Sequence, residues 1–333
     1  MAMALVFSVS VLLLAAIVQT WGLHEAHPLR MAVDGVNESG PYVGLVMAYA
    51  TEAEAVQSSG EFVARTDLPW VDLYGRRFHI GSIRDVDVIY VMSGQRRLNA
   101  GITVQILLDT FDVRGIVHYG IAGSANDSLS FGDVSVPEFV AFTGSWKWQK
   151  YGSESGDPRE LSFRTYNIPR DGKNLLSGVV FKTEEFYSVG KPMEEVFWLQ
   201  VDPEWYRVAQ NLQVELQGCV NETYCLPKTP ELVCGLKAST ADVFVDNAAY
   251  RKFIFEEFGA STVDEESAAI VMTALSPGVP VIVFRAVSDL AGGEAKYSST
   301  SFNDLASINS LKVAVEFIGA IGKRKPYSST SRI

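Results

Sequence analysis

The sequence predicts an α/β fold built on a buried, largely parallel sheet, and three features carry that reading. Val279-Pro-Val-Ile-Val-Phe284 is a continuous apolar run, the pattern of a strand covered on both faces. Gly115-Ile-Val-His-Tyr119 is a second such run and leads directly into the small-residue turn Gly120-Ile-Ala-Gly-Ser124. Asn99–Phe111 carries the i, i+3, i+4 apolar spacing of a helix lying on a sheet. With 333 residues, 47% of them hydrophobic, and no linker, repeat or low-complexity tract, the chain reads as one large domain with an insertion.

The elements follow in order. Ala4–Val18 is apolar apart from two serines, short for a membrane span, and followed by Gln19-Thr-Trp-Gly22. It predicts a signal peptide, residues 1–22, ahead of an N-terminal extension, 23–40. Because no Lys or Arg precedes the apolar run, an uncleaved anchor is the competing reading. Within the domain, 41–322, Tyr42–Ala48 is the first strand and an acidic turn at Thr51–Glu54 opens a helix. Phe78–Ile83 and Val86–Met92 make a hairpin that Ser93-Gly94 ends. Asp133–Phe142 is another strand, Trp146–Arg170 a polar and aromatic surface excursion, and Ser177–Phe181 a return to the sheet. An insertion at about 191–236 holds Trp198, Trp205 and every cysteine. Ser301–Ile321 is an amphipathic closing helix, and 323–333 is a basic, solvated tail.

A formal charge of −11, from 39 acids against 28 bases, argues against nucleic acid or an anionic membrane as partner. The compartment implied by the leader is the secretory pathway, ending in the vacuole or outside the cell. Three sequons fit it, at Asn37, Asn126 and Asn221. Cys219, Cys225 and Cys234 suit one disulfide in an oxidising lumen, with one thiol left over and the pair unspecified. The four histidines lie away from these cysteines in sequence, so neither a metal nor another cofactor is expected. Oligomeric state is left open, a homodimer being compatible.

The chemistry concentrates in Ser261–Gly292. Asp264, Glu265 and Glu266 open a helix, and the strand after it delivers Ser288 and Asp289 to its carboxyl end, where open α/β sheets place ligands. Acids in a first helical turn also serve the macrodipole, and Asp289 could simply cap the turn after it. Two elements of one sheet aiming carboxylates at one pocket favour a site.

The order V-D-E-E-S-A-A at Val263–Ala269, then F-R-A-V-S-D at Phe284–Asp289, resembles the purine nucleoside phosphorylase and nucleosidase superfamily. Val43–Ala55 and Gly115–Ser124, followed by Leu129-Ser-Phe-Gly-Asp-Val134, are similar to further blocks of that family in the same order. The resemblance implies a single-domain, three-layer fold with a central mixed, largely parallel sheet flanked by helices. Across Pro28–Trp148 the chain is also similar to the plant branch of bark and wound-inducible storage proteins.

What the resemblance implies for the site is specific. Asp289 would protonate or hydrogen-bond the leaving purine, Glu266 would hold the ribose, and Glu54 would activate water. Asp264, Glu265, Ser288 and the loop residues Gly120, Ile121 and Ala122 would line the pocket, with Phe186 against the base. Departures are equally specific. His118 stands where phosphorylases carry a phosphate-binding arginine, which disfavours a phosphate-dependent reaction unless acid charges the imidazole. Ile121 removes a serine hydroxyl, Asp264 shortens the first acid, and Glu265 occupies a position that is usually apolar. The resemblance therefore implies a bark-type nitrogen-storage protein that keeps a purine-nucleoside or adenine-type pocket. The rivals are a phosphate-independent purine nucleosidase for adenosine-type or cytokinin ribosides, and an adenine- or cytokinin-binding module. Composition itself gives storage no support, since ten Asn and nine Gln are no enrichment in side-chain nitrogen.

Overall fold

The computed structural model describes residues 23–150, 159–162, 178–221, 224–292 and 302–323. The signal-peptide reading, much of the 146–170 excursion and the tail beyond residue 323 lie outside them.

One eleven-stranded sheet organises the domain. Its parallel centre places β1 (Tyr42–Met47) between β5 (Val86–Met92) and β6 (Val113–Ser124), with β18 (Val281–Asp289) parallel to β6 on its other edge. β18 also meets β7 (Val134–Phe142) in antiparallel register. β7 runs parallel to β16 (Leu232–Thr240), and β16 parallel to β17 (Ala260–Asp264). β17 then returns antiparallel to the far end of β6, pairing Thr262 with Ser124. The second half of the sheet is thus rolled into a ring of β6, β18, β7, β16 and β17. Antiparallel strands finish the other edge: β4 (Arg76–Ile83) pairs with β5, β2 (Phe62–Ala64) and β3 (Trp70–Leu73).

Helices cover both faces. Among the described residues there are seven, beginning with α1 (Arg30–Asn37), whose Val33 and Val36 enter the core. α2 (Ala50–Ser58) packs on α7 (Asn303–Gly322), and α3 (Arg97–Thr110) on α6 (Ser267–Leu275). α4 (Pro203–Ala209) and α5 (Ala248–Phe258) complete the set. α7 is long and apolar enough to cross a membrane, but it is a core helix, with 67% of its most apolar window buried.

The apolar run predicted from residue 279 becomes strand only from Val281, because Pro280 has no N–H for the ladder; its carbonyl still accepts from Ile116 N at 2.8 Å. Within the insertion, Cys219 and Cys225 form the disulfide and Cys234 is a free, half-buried thiol. The disulfide bridges a small hairpin, β14 (Cys219–Asn221) with β15 (Tyr224–Cys225). Elsewhere β11 (Glu184–Phe186) pairs with β12 (Glu194–Val196). The sequons differ in setting. Asn37 is used by the fold, its Nδ2 donating to Thr110 O and its Oδ1 accepting from Asp112 N, while Asn221 is exposed. Asn126 is partly buried and bonds Ser261 and Ser128.

Candidate functional site

β1 pairs with β6 only as far as Val46–His118, and β17 takes up the same edge only at Val263–Gly123. Between these points β6 has no strand neighbour on that side, and a cavity of about 430 Å³ opens there. The size suits a nucleoside-scale molecule. Side chains replace the missing ladder. Ile121 N donates to Glu52 Oε1 at 2.8 Å, and Ile121 O accepts from Arg285 Nη1 at 3.1 Å. Gly120 sits where both side chains converge, so a Cβ there would overlap the guanidinium and the Glu52 carboxylate.

Arg285 is the hub. Its side chain is 1% exposed and faces three buried carboxylates: Glu266 Oε2 at 2.8 Å, Asp264 Oδ2 at 3.4 Å and Glu52 Oε1 at 3.8 Å. Nε also donates to Ser267 Oγ at 3.0 Å. Burial opposes its charge, but the three acids together hold it firmly protonated. One cation cannot balance three anions in so dry a place.

Each acid answers differently. Burial pushes Glu52 up, against the pull of Arg285 and of backbone N–H groups from Ile121, Tyr49 and Ala48. Glu266 is pushed up to about 7 by burial, with Arg285 opposing and Asp264 reinforcing. Burial also presses on Asp264, yet Arg285 and hydrogen bonds from Ser267 and Thr240 outweigh it and hold this acid below the usual range. Its Oδ1 accepts from Thr240 Oγ1 at 2.7 Å and from the Glu266 and Ser267 amides, so Asp264 ties the start of α6 to β16. Glu265 is raised by burial against the attraction of Arg96, whose Nε lies 3.8 Å away. Arg96 has φ 75°, a strained value for a side-chain-bearing residue, and aims its N–H at Glu266 Oε1 at 2.9 Å.

Asp289 also lines the cavity, and its Oδ2 accepts from Ser288 Oγ and its Oδ1 from Ala291 N, both at 2.8 Å. Val243, Phe244, Val245 and Val263 supply an apolar wall. Phe244 is 74% exposed, a large ring offered at the cavity mouth. Carboxylates and an apolar wall in one cavity suit a ligand that carries hydroxyls on one part and a flat apolar ring on another. Among the described residues no group of three or more His, Cys, Asp or Glu side chains is placed to hold a metal.

Of the residues singled out in the sequence, Asp289, Ser288, Glu266, Glu265, Asp264, Ile121 and Ala122 line this cavity. Gly120 lies immediately behind it. Glu54 does not belong: it is exposed on the outer face of α2, while Glu52, one half-turn earlier, is the buried glutamate at the cavity. Phe186 is also misplaced. It is buried in the main core from β11, and the aromatics at the pocket are Phe244 and Tyr49. His118 is a core residue whose Nδ1 donates to Val46 O at 2.9 Å. Burial, then Arg285, lowers its pKa to about 3, so lumenal acidity would not charge it. Arg285 stands inside the F-R-A-V-S-D block, where its position in a buried strand gives no sequence signal of this role.

The profile of the phosphorylase superfamily matches residues 42–319. Bark storage protein A of Populus deltoides is 38% identical over 282 residues, covering 84% of this chain and 88% of that protein. The 5'-methylthioadenosine/S-adenosylhomocysteine nucleosidase of Treponema pallidum is 30% identical over 226 residues, 67% of this chain and 74% of that one. Among solved structures, the corresponding nucleosidase of S. pneumoniae, bound to the transition-state inhibitor MT-ImmA, superposes with TM-score 0.57 and 22% identity. That match covers 84% of this chain and all of that one (100%). Futalosine hydrolase of Helicobacter pylori gives TM-score 0.56 at 18% identity, covering 83% and 97%.

Proposed function

The chain belongs to the phosphorylase superfamily, and from that premise we propose that it is a plant storage protein of the bark type that retains a purine-nucleoside or adenine-type pocket. The kinship with the poplar storage proteins, along 84% of the chain, supports the storage role. The observation that carries the pocket is the presence of Glu266 and Asp289 in the lining of one cavity beside β6. In this reading the Glu266 carboxylate accepts from sugar hydroxyls, and Asp289, oriented by Ser288 and Ala291 N, meets the purine edge. The apolar wall around Phe244 covers the base face. The protein would act in the secretory pathway, in the vacuole or outside the cell.

A specific observation favours a second reading, a phosphate-independent purine nucleosidase. A pure store has no use for a buried glutamate held by three backbone amides beside a buried guanidinium, and Glu52 is such a group. In this second reading Glu52 would take the proton of an attacking water, Glu266 would steady the growing positive charge on the sugar, and Asp289 would donate a proton to the departing base. Arg285 is committed to acids and His118 is neutral, so neither supplies a phosphate-binding cation.

Base release from a panel of purine ribosides by the purified mature protein decides between them. Binding of adenine without release from any riboside supports the storage reading. Release without phosphate supports the nucleosidase, and phosphate-stimulated release with ribose-1-phosphate would overturn both accounts of the site. Absence of all binding would remove the pocket from the storage proposal.

A further inference from the structure

We infer that the disulfide-bonded hairpin Cys219–Cys225 is a brace that fixes the end of the pocket carrying Ser288 and Asp289, with Tyr224 and Asn309 as its positioning residues. Two separate chains of contacts lead from the hairpin to the last turns of β18.

The first runs through rings. Tyr224 stacks on Phe302, with ring centroids 6.0 Å apart and planes 12° from parallel. Phe302 rests in turn on Phe131 at 4.9 Å. The Phe302 amide donates to Ser288 O at 2.9 Å, and the next residue, Asn303, lines the cavity.

The second runs through a buried amide. Gln217 N donates to Asn309 Oδ1 at 2.6 Å, and Gln217 Nε2 donates to Cys219 O at 2.7 Å, at the hairpin's base. Asn309, fully buried in α7, spends both Nδ2 hydrogens on Gly132 O at 3.1 Å and Gln217 O at 3.0 Å. Gly132 N then donates to Val287 O, and Val287 N to Asp133 O, each at 2.9 Å. The carbonyls of Val287 and Ser288, the two residues before Asp289, are therefore gripped by groups that the hairpin organises.

A two-strand hairpin this short is marginal in water without support. The Cys219–Cys225 bond and the Leu226 N–Gly218 O hydrogen bond, 2.7 Å, close it. Opening the disulfide removes the restraint, so Tyr224 leaves Phe302 and the Ser288 end of the strand samples more positions. The site would accordingly be firmer in an oxidising compartment than in a reducing one.

The inference draws on the purine-pocket reading only for its binding arm, so the test has two arms on the full mature chain. Amide exchange at Phe302 reports the brace directly, and adenine binding reports its effect on the pocket. Cys219→Ser with Cys225→Ser, reductant added to wild type, and Tyr224→Ala should each speed Phe302 exchange while leaving the β1–β5 ladder unchanged. Each should also weaken adenine binding about tenfold, equivalent to about 1.4 kcal/mol. Tyr224→Phe keeps the ring and should restore both. Unchanged Phe302 exchange overturns the brace, as does a lower Tm with exchange and adenine affinity both intact. If wild type binds no adenine, the purine reading fails, and the exchange arm alone decides the brace.

Discussion

Arg285 Nη2 donates to Glu266 Oε2 at 2.8 Å with the two side chains 1% and 7% exposed, so this cavity acid at the start of α6 is aimed by a cation from β18. Because burial lifts Glu266 to about 7, its charge is set by the surrounding pH rather than guaranteed. An unfolded glutamate titrates near its ordinary value, so the folded state binds an extra proton between that value and about 7. The stabilisation is complete below the unfolded pKa and fades as pH rises through the folded one, at up to about 1.4 kcal/mol per unit. Denaturant unfolding at pH 5 and pH 8 should show this loss in wild type and a flatter profile in Glu266→Gln. Sugar recognition should run the opposite way, strengthening above pH 7 as the carboxylate ionises.

Removing Arg285 leaves three buried acids without their cation. Arg285→Met should cost about 3–5 kcal/mol at neutral pH, the usual penalty for breaking a buried pair from one side. Acid should recover part of that loss, because the orphaned carboxyls can then take protons. Unfolding curves of wild type and variant at pH 5 and pH 7.5 measure it; a variant as stable as wild type at both would refute the hub.

Glu52 and Glu54 separate cleanly. In Glu52→Gln an amide NH₂ must face backbone donors now served by a carboxylate, which should cost about 1–3 kcal/mol and abolish any water activation. Glu54→Gln changes a solvated side chain and should alter neither stability nor base release. Parallel melting and turnover measurements on the two variants are sufficient.

Much of this architecture was legible in sequence. The buried run ending at Asp289, the hairpin of β4 and β5, and helix α3 all stand close to where apolar periodicity puts them. The run A-T-E-A-E-A was harder, since two glutamates two residues apart lie on different faces of a helix, and their facing depends on where the helix begins. Tyr49 proves to be the residue before the first turn, which turns Glu52 back onto the Ala48 and Tyr49 amides and leaves Glu54 outward. Arg285 sits in a strand reading as core, and only the ring closure of β6, β18, β7, β16 and β17 shows three acids arriving around it. Phe244 lies in Asp242-Val-Phe-Val245, a short apolar stretch with no periodicity to mark it. Its role follows from the position of the strand end, not from its neighbours.

Phe186 and Phe244 should dissociate stability from binding. Phe186→Ala empties part of the core and should cost about 3–5 kcal/mol, leaving adenine affinity unchanged in the folded protein. Phe244→Ala removes an exposed ring and should leave Tm nearly unchanged while weakening adenine binding by about two- to twelve-fold, in line with the loss of an aromatic contact of roughly 0.5–1.5 kcal/mol. Calorimetric titration with adenine reads the second effect and thermal melts the first. Equal loss of affinity in both variants would place the aromatic contact elsewhere.

Asp289→Asn tests the chemistry most directly, because the change is nearly isosteric. The amide oxygen can still accept from Ala291 N, so the turn after β18 should hold and Tm should barely move. The second bond must reverse, since the new NH₂ donates to Ser288 Oγ where the carboxylate accepted from it. What disappears is a group able to carry a proton to the leaving base. If wild type cleaves ribosides, release should fall by about 10²–10⁴-fold, the usual contribution of a catalytic acid. Adenine binding, which needs only hydrogen-bond partners, should fall far less. A parallel loss of binding and release would make Asp289 a recognition group alone. Full activity in the variant would move the proton donor elsewhere, and Glu266, whose pKa is lifted to about 7, would then be the residue to change.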